Sequence, residues 1–263
     1  ITGIGNYKGT VTRTYQITPR TVTLKSKDLS KTYDGTALTN GREPLETETG
    51  WVRGEGATYT FTGSQTTAGS SANAFNYVFN EGTKSSNYVI KKTNGTLTVK
   101  EKPINPDDPE SKGIKVSDPE DVIYNGADQK QPVVVTDNGK TLVQGTDYVI
   151  EYSEDVKNVG TVTITVMGIG NYKGMVTRTY QITPRTVTLK SKDLSKTYDG
   201  TALTNGGEPL ELELGWVAGE GATYAFTGSQ TNVGSSANAF TYEVNEGTKE
   251  SNYAIVKTEG KLT

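Results

Sequence analysis

The sequence of 263 residues contains no cysteine and no histidine. Without cysteine there can be no disulfide, no thiol nucleophile and no thiolate-bound metal. Without histidine the commonest general base and the commonest metal ligand are missing too. Large aromatics are sparse, with 5 Phe and 2 Trp, and hydrophobic residues make up only 32% of the chain. That share lies below the usual apolar content of a globular domain, so several small cores fit better than one large one. No run of 18 apolar residues occurs, which leaves no candidate membrane-spanning helix. A net charge of −3 provides no basic field to hold nucleic acid or an anionic membrane surface. There is no phosphate-binding loop, no nucleophile elbow and no zinc signature.

What the chain does have is threonine, tyrosine and glycine: 42 Thr, 15 Tyr and 30 Gly. Thr and Tyr suit half-buried pleated surfaces, and Gly with Asn and Asp supplies turns. Apolar residues recur with period two. Val22 and Leu24 alternate with Thr, Phe75, Tyr77 and Phe79 keep one parity, and Val162, Ile164 and Val166 do the same. This is the pattern of strands with one buried face. Asp34-Gly35, Asn94-Gly95, Asn125-Gly126 and Asn138-Gly139 are turn dipeptides of the kind that favours tight hairpins. No ten-residue stretch combines helical periodicity with caps. The expected fold is all-β, made of small antiparallel modules, each an Ig-like sandwich or alternatively a β-grasp-like sheet, in an elongated array.

The strongest feature is self-similarity. Residues 3–98 return as residues 168–263 with 16 differences in 96 positions, so 80 are identical. The 165-residue period holds two unlike stretches. An A-type repeat spans 20–99 and again 185–263, where its last strand is truncated. A B-type repeat spans 114–184, and residues 1–19 match only its final part. That N-terminal stretch is expected to be a C-terminal remnant of a B-type module, an exposed edge of strand material without its parent sheet.

Between the first A repeat and B lies KEKPINPDDPESKG, residues 100–113. Pro103, Pro106 and Pro109 are three apart, one turn of polyproline II, so an extended Pro-rich linker reaching about 43 Å is expected. The junction from B to the second A repeat is shorter: Ile182 ends one strand, Pro184 fixes φ, and Val187 is already in the next alternation.

The A-type repeat resembles the MBG-type repeat of large bacterial surface proteins. YDG at 198–200, TGSQTNVGSSAN at 227–238, SNYAI at 251–255 and the closing GKLT carry the likeness. The B-type repeat is similar to the short Ig-like repeats that accompany such domains, through YNG at 124–126, GTDYVIEY at 145–152, VGTVTITVMGIGNYKG at 159–174 and the final TYQI. The resemblance implies modular extension and display on a Gram-positive cell wall, hence an extracellular location. It supplies no ligand.

Candidate sites are few. Trp51 and Trp216 occupy matching positions before a Gly-rich turn and are candidate ligand-binding platforms for sugars, although the largest side chains of a small core are expected to sit inside it. Tyrosines in the Asn-Tyr pairs at 6–7, 87–88, 171–172 and 252–253 are expected to close cores while Asn shapes turns. Asp107, Asp108 and Glu110 lack the folded loop that calcium needs. No catalytic residue, cofactor or metal is assigned, and lysines are expected on the surface.

The two A copies can be set against each other. Residues 20–98 carry 9 basic and 7 acidic side chains, a net +2, and residues 185–263 carry 7 and 10, a net −3. Core-type positions such as Val22/Val187, Phe61/Phe226 and Phe75/Phe240 do not change. A charged site shared by both copies does not fit such a swing. The chain is therefore expected to be a non-enzymatic stalk that projects a distal binding domain. The other expectation is that the repeats themselves bind host glycans or proteins. Other modules of the same polypeptide are expected partners; nucleic acid and membrane insertion are not.

Overall fold

A computed structural model describes residues 1–263, and it is all-β, with two single-turn 3-10 helices and no α-helix. No helix is long and apolar enough to cross a membrane. Contacts divide the chain into two compact units, Ile1–Pro103 with Gly168–Lys173, and Ile104–Met167 with Gly174–Thr263.

In the first unit the A repeat is built from two three-stranded sheets. Arg20–Lys25 lies between Thr47–Thr49 and Tyr88–Thr93; Gly95–Lys100 lies between Leu29–Thr32 and Gly69–Asn73. Ala57–Phe61 pairs with Phe75–Phe79 as a further ribbon. The alternation read from sequence is realised: Val22, Leu24 and Phe75 are fully buried and form one cluster with Tyr88. Each such side chain contributes about 1.5–3 kcal/mol of burial. Leu45, Trp51, Tyr59, Phe61, Tyr77 and Ile90 lean on this cluster.

The second unit repeats this plan in its A copy. Arg185–Lys190 lies between Leu212–Leu214 and Tyr253–Thr258, and Ser236–Asn238 pairs with Gly260–Leu262. The B repeat supplies a four-stranded sheet in the order Val122–Ile123, Met175–Thr183, Gly160–Gly168, Tyr148–Tyr152. Val162, Ile164, Val166, Tyr180 and Ile182 fill its inner face. A single residue, Pro184, separates the last strand of B from the first strand of the second A copy.

Several expectations need correction. The modules are not purely antiparallel. Arg20–Lys25 pairs in parallel with Tyr88–Thr93, Gly95–Lys100 with Leu29–Thr32, and Val122–Ile123 with Met175–Thr183. Parallel neighbours require a long crossover, and in the A repeat the whole middle of the repeat provides it. Of the four turn dipeptides only Asn138-Gly139, with φ of 49° and 83°, closes a hairpin between paired strands. Asp34 and Asn125 form Asx turns instead, accepting from the amides of Thr36 and Ala127 at 2.9 Å. At Gly95 the reason for glycine is a close approach: a Cβ would run into the carbonyl oxygens of Ser26 and Lys27.

Residues 100–113 are not an extended spacer either. Lys102–Pro103 is a short strand paired with Tyr172–Lys173, and Ile104 is fully buried. Beyond it the chain folds into successive turns: the amide of Asp108 donates to the Asn105 carbonyl, Ser111 to Asp108, and Ile114 to Ser111. An apolar anchor and the side chains of Asn105 and Asp108, which accept from the amides of Asp107 and Glu110, override the polyproline tendency of three spaced prolines. Lys102 is buried, against the expectation that all lysines are solvated.

Each A copy also contains a buried polar knot that hydrophobic periodicity does not reveal. Ser26 Oγ donates to the Asn73 carbonyl at 2.6 Å and accepts from the Gly95 amide at 2.8 Å. Asn73 Nδ2 donates to Asn40 Oδ1 at 2.7 Å. Ser191, Asn238, Gly260 and Asn205 repeat the same bonds. These tie the two sheets of the repeat together where there is little apolar surface to do so.

Candidate functional site

The two tryptophans follow the loops after Thr47–Thr49 and Leu212–Leu214, and the Gly at the preceding position explains the approach. Gly50 and Gly215, with φ of 105° and 110°, pass so close to the backbone of Thr21 and Thr186 that no side chain fits. This brings Trp51 edge-on to the ring of Tyr88 at 4.9 Å and to Phe79 at 6.0 Å. Trp216 meets Tyr253 in the same way at 4.7 Å. Both indoles are half-buried. Trp51 Nε1 donates to Glu48 Oε1 at 3.1 Å, and the Tyr59 hydroxyl donates to the same oxygen at 2.6 Å. In the second copy, where Phe79 is replaced by Val244, Trp216 Nε1 donates to the Tyr224 hydroxyl at 3.3 Å, and that hydroxyl donates to Glu213 at 2.7 Å. Burial and the Glu213 carboxylate push the Tyr224 phenol up to about 12.

Beside each tryptophan stands a tyrosine–glutamate pair that the sequence reading passed over. Tyr88 donates to Glu55 and accepts from the Val52 amide at 3.3 Å. In the second unit Glu220 does more. Its Oε2 accepts from Tyr253 at 2.7 Å and its Oε1 accepts from Tyr124 of the B repeat at 2.6 Å. Tyr124 is buried and stands edge-on to Tyr253, 5.5 Å between ring centres. Tyr253 is pushed up to about 12, first by burial and then by the Glu220 carboxylate. Gly126, at φ 82°, lies against Val217; a Cβ there would come within 2.6 Å of Val217 Cγ1. Asn252 completes the joint: its Oδ1 accepts from the Val159 amide at 3.0 Å and its Nδ2 donates to Asn158 Oδ1 at 2.9 Å.

The Asn-Tyr pairs thus divide their labour differently from expectation. Tyr88, Tyr172 and Tyr253 are buried, as core closure requires. Asn252, however, bridges from the A repeat to B rather than shaping a turn alone, and within the first unit Asn171 Oδ1 accepts from the Ala68 amide at 2.8 Å. Val52/Val217, Glu55/Glu220, Asn87/Asn252 and Tyr88/Tyr253 are identical in the two copies, but so are 80 of the 96 matched positions, so the comparison of copies does not single them out.

Two acids near Trp51 are engaged in pairing. Glu46 meets Lys25 at 2.6 Å, and Glu48 holds Trp51 and Tyr59. No group of three or more Asp or Glu, Asp107, Asp108 and Glu110 included, converges as a metal-binding cluster would. What this arrangement can do chemically is fix two repeats against each other through partly buried phenol–carboxylate hydrogen bonds, which are stronger than neutral ones. Family models, curated proteins and solved structures were each compared with the chain, and none matches.

Proposed function

We propose that this chain is a stretch of stalk repeats from an adhesin on a Gram-positive cell surface, whose alternating MBG-like and Ig-like modules hold a distal binding domain away from the cell wall. The observation that carries this reading is the joint of Tyr124, Glu220, Tyr253 and Asn252. Its A-side positions Glu220, Asn252 and Tyr253 are unchanged between the copies, while the net charge of the repeat moves from +2 to −3. Side chains that set one module against the next are kept, and side chains that would meet a charged receptor are not, which is what a mechanical spacer requires. Absence of disulfides leaves such packed joints and short Pro-containing junctions as the means of stiffening.

Small-angle scattering tests the reading. A stalk segment gives a radius of gyration well above the roughly 18 Å of a compact 263-residue chain. The competing adhesive reading is tested on a glycan array and by mucin pull-down. Silence from the folded chain supports the stalk. Binding that disappears in Trp51→Ala and Trp216→Ala overturns it in favour of adhesive repeats.

A further inference from the structure

Asparagine followed by glycine is the pair most given to losing its side-chain amide, because glycine leaves its own amide nitrogen unshielded and its backbone free to turn. The chain holds five such pairs: Asn40-Gly41, Asn94-Gly95, Asn125-Gly126, Asn138-Gly139 and Asn205-Gly206. The fold restrains four of them. Asn40 and Asn205 are buried in the polar knots; each donates from Nδ2 to a glutamate carbonyl at 2.6 Å and accepts at Oδ1 from Asn73 or Asn238. Asn94 is exposed, but the nitrogen that follows it is not: Gly95 is buried and its amide donates to Ser26 Oγ at 2.8 Å. Asn138 Nδ2 donates to Asp137 Oδ1 at 2.9 Å, and its carboxamide lies so close to Gly113 that a Cβ there would be 2.3 Å from Asn138 Oδ1.

Asn125 is different. Its side chain is exposed, and neither its Nδ2 nor the Gly126 amide is bonded to another protein group. Its Oδ1 accepts from the Ala127 amide at 2.9 Å. That bond folds the carboxamide back toward the following peptide and polarises its carbon. The same N–H faces the oxygen on which charge gathers when that carbon is attacked. The pair also sits beside the joint of the second unit. Gly126 lies against Val217, and a Cβ on it would stand 3.8 Å from Glu220 Oε1, the atom that accepts from Tyr124.

We propose that Asn125-Gly126 is a site of spontaneous covalent modification, at which the joint between the B repeat and the second A repeat ages. The Gly126 amide nitrogen, on losing its proton to water or hydroxide, forms a bond to Asn125 Cγ. The C=O electron pair moves onto Oδ1, where the Ala127 amide stabilises it. Collapse of this intermediate breaks the Cγ–Nδ2 bond, and ammonia leaves after taking up a proton, so that a succinimide ring is closed. Water then opens either of its carbonyls, giving aspartate or isoaspartate. Nothing is oxidised or reduced: one water is consumed and one ammonia released. Both products place a carboxylate where Asn125 was neutral, on the Glu220 side of the joint, and like charges there oppose each other. Isoaspartate also lengthens the main chain by one carbon where Gly126 meets Val217, a contact too close to admit even a Cβ. The inference draws on the joint and not on the stalk reading, since it holds equally for repeats that are themselves adhesive.

Incubation of the intact folded chain in mildly alkaline buffer, followed by peptide mapping by mass and by enzymatic methylation of isoaspartate, tests it. The peptide holding Asn125 is expected to gain the mass of an NH2-to-OH exchange at least about tenfold faster than each of the other four. In urea the five rates are expected to converge, since sequence alone then decides them. Ala127→Pro removes the stabilising N–H at an exposed position; it is expected to slow conversion of Asn125 about tenfold in the folded chain and to leave it unchanged in urea. The isoaspartate form, separated by its added charge, is expected to show faster hydrogen exchange at Val217 and Asn252 and unchanged exchange at Val52 and Asn87. Equal rates at the exposed asparagines of the folded chain, or faster conversion at Asn94 or Asn138, overturn the proposal. So does a folded-state rate indifferent to Ala127→Pro. Full protection of Val217 and Asn252 in the modified chain overturns its coupling to the joint.

Discussion

Residues 3–18 and 168–183 are the same peptide at 15 of 16 positions, differing only as Thr10 and Met175, yet they end in opposite states. Tyr180 and Ile182 are 1% exposed, whereas Tyr15 and Ile17 are 89% and 86% exposed. In the B repeat this peptide is a central strand, between Gly160–Gly168 on one side and Val122–Ile123 on the other. At the N-terminus only its turn is formed, and residues 11–19 belong to no strand. Threonine-rich alternation therefore describes a peptide ready to be a strand; the strand itself is made by neighbours that bury one face. The sharpest test is the paired substitution. Ile182→Ala is expected to cost about 2–5 kcal/mol, and Ile17→Ala to change stability by less than about 0.5 kcal/mol. Urea unfolding of the two variants checks this, and equal losses would contradict the assignment of burial to partners.

The two A repeats sharpen the same comparison from the other side. Val217, Glu220, Asn252 and Tyr253 meet the B repeat, and Asn252 is buried; their twins Val52, Glu55, Asn87 and Tyr88 have no Tyr124 to meet, and Asn87 is exposed. Gly126→Val adds both backbone strain at positive φ and a clash with Val217, an expected loss of about 2 kcal/mol. Tyr124→Phe removes one hydrogen bond to a carboxylate and is expected to cost about 1.5 kcal/mol. Hydrogen exchange locates these losses: protection should fall at Val217 and Asn252 in both variants while Val52 and Asn87 stay as they were.

Titration distinguishes the copies from bulk tyrosine. Tyr224 and Tyr253 are pushed up to about 12 by burial and by the carboxylates of Glu213 and Glu220. Their folded values lie above the ordinary phenol value, so the stability they contribute is whole below about pH 10 and is lost as pH rises toward 12. Absorbance at 295 nm should show a late phase that Tyr224→Phe and Tyr253→Phe each diminish. At the acid end the sign reverses. Hydrogen bonds from Lys31 and Thr36 hold Asp34 down at about 2, and the amides and side chain of the Asn158 turn hold Asp155 at about 2. Their contribution is present above about pH 4 and disappears as pH falls toward 2. Asp34→Asn is expected to flatten that decline.

The sequence made the all-β class, the 165-residue period and the inward residues legible, because period two and exact repetition are local signals. Val22, Leu24, Phe75, Val162 and Ile164 are buried as their parity demands. Strand pairing was not legible. Asn94-Gly95 reads as a hairpin, but the strands flanking it pair elsewhere, and the glycine is there for Lys27. Residues 100–113 read as polyproline, but one buried isoleucine and two Asx turns decide their path. Trp51 and Trp216 were found by size, and the structure sets them beside Tyr88 and Tyr253. Glu220, Tyr124 and Asn252 escaped because residues about 90 apart in sequence meet there, and no spacing rule spans that distance.

The smallest expected difference concerns charge. Lys27–Glu43 and Lys192–Glu208 are the same ion pair in both copies, each at 2.6 Å and partly solvated. Such pairs contribute at most about 1 kcal/mol, so the interest lies in the sign of the difference between them. Lys192 sits in a repeat of net −3 and Lys27 in one of net +2. Removing a positive charge from the acidic copy adds to existing repulsion, while removing one from the basic copy relieves it. Lys192→Ala should therefore destabilise by a few tenths of a kcal/mol more than Lys27→Ala at low salt, on the order of 0.3 kcal/mol. Near 1 M salt, where the screening length shrinks to about 3 Å, the two losses should converge, because the pair geometry is shared and only the longer-range field differs. A difference that persists at high salt would locate its origin in packing of the lysine stems instead of in the charge of the surrounding repeat.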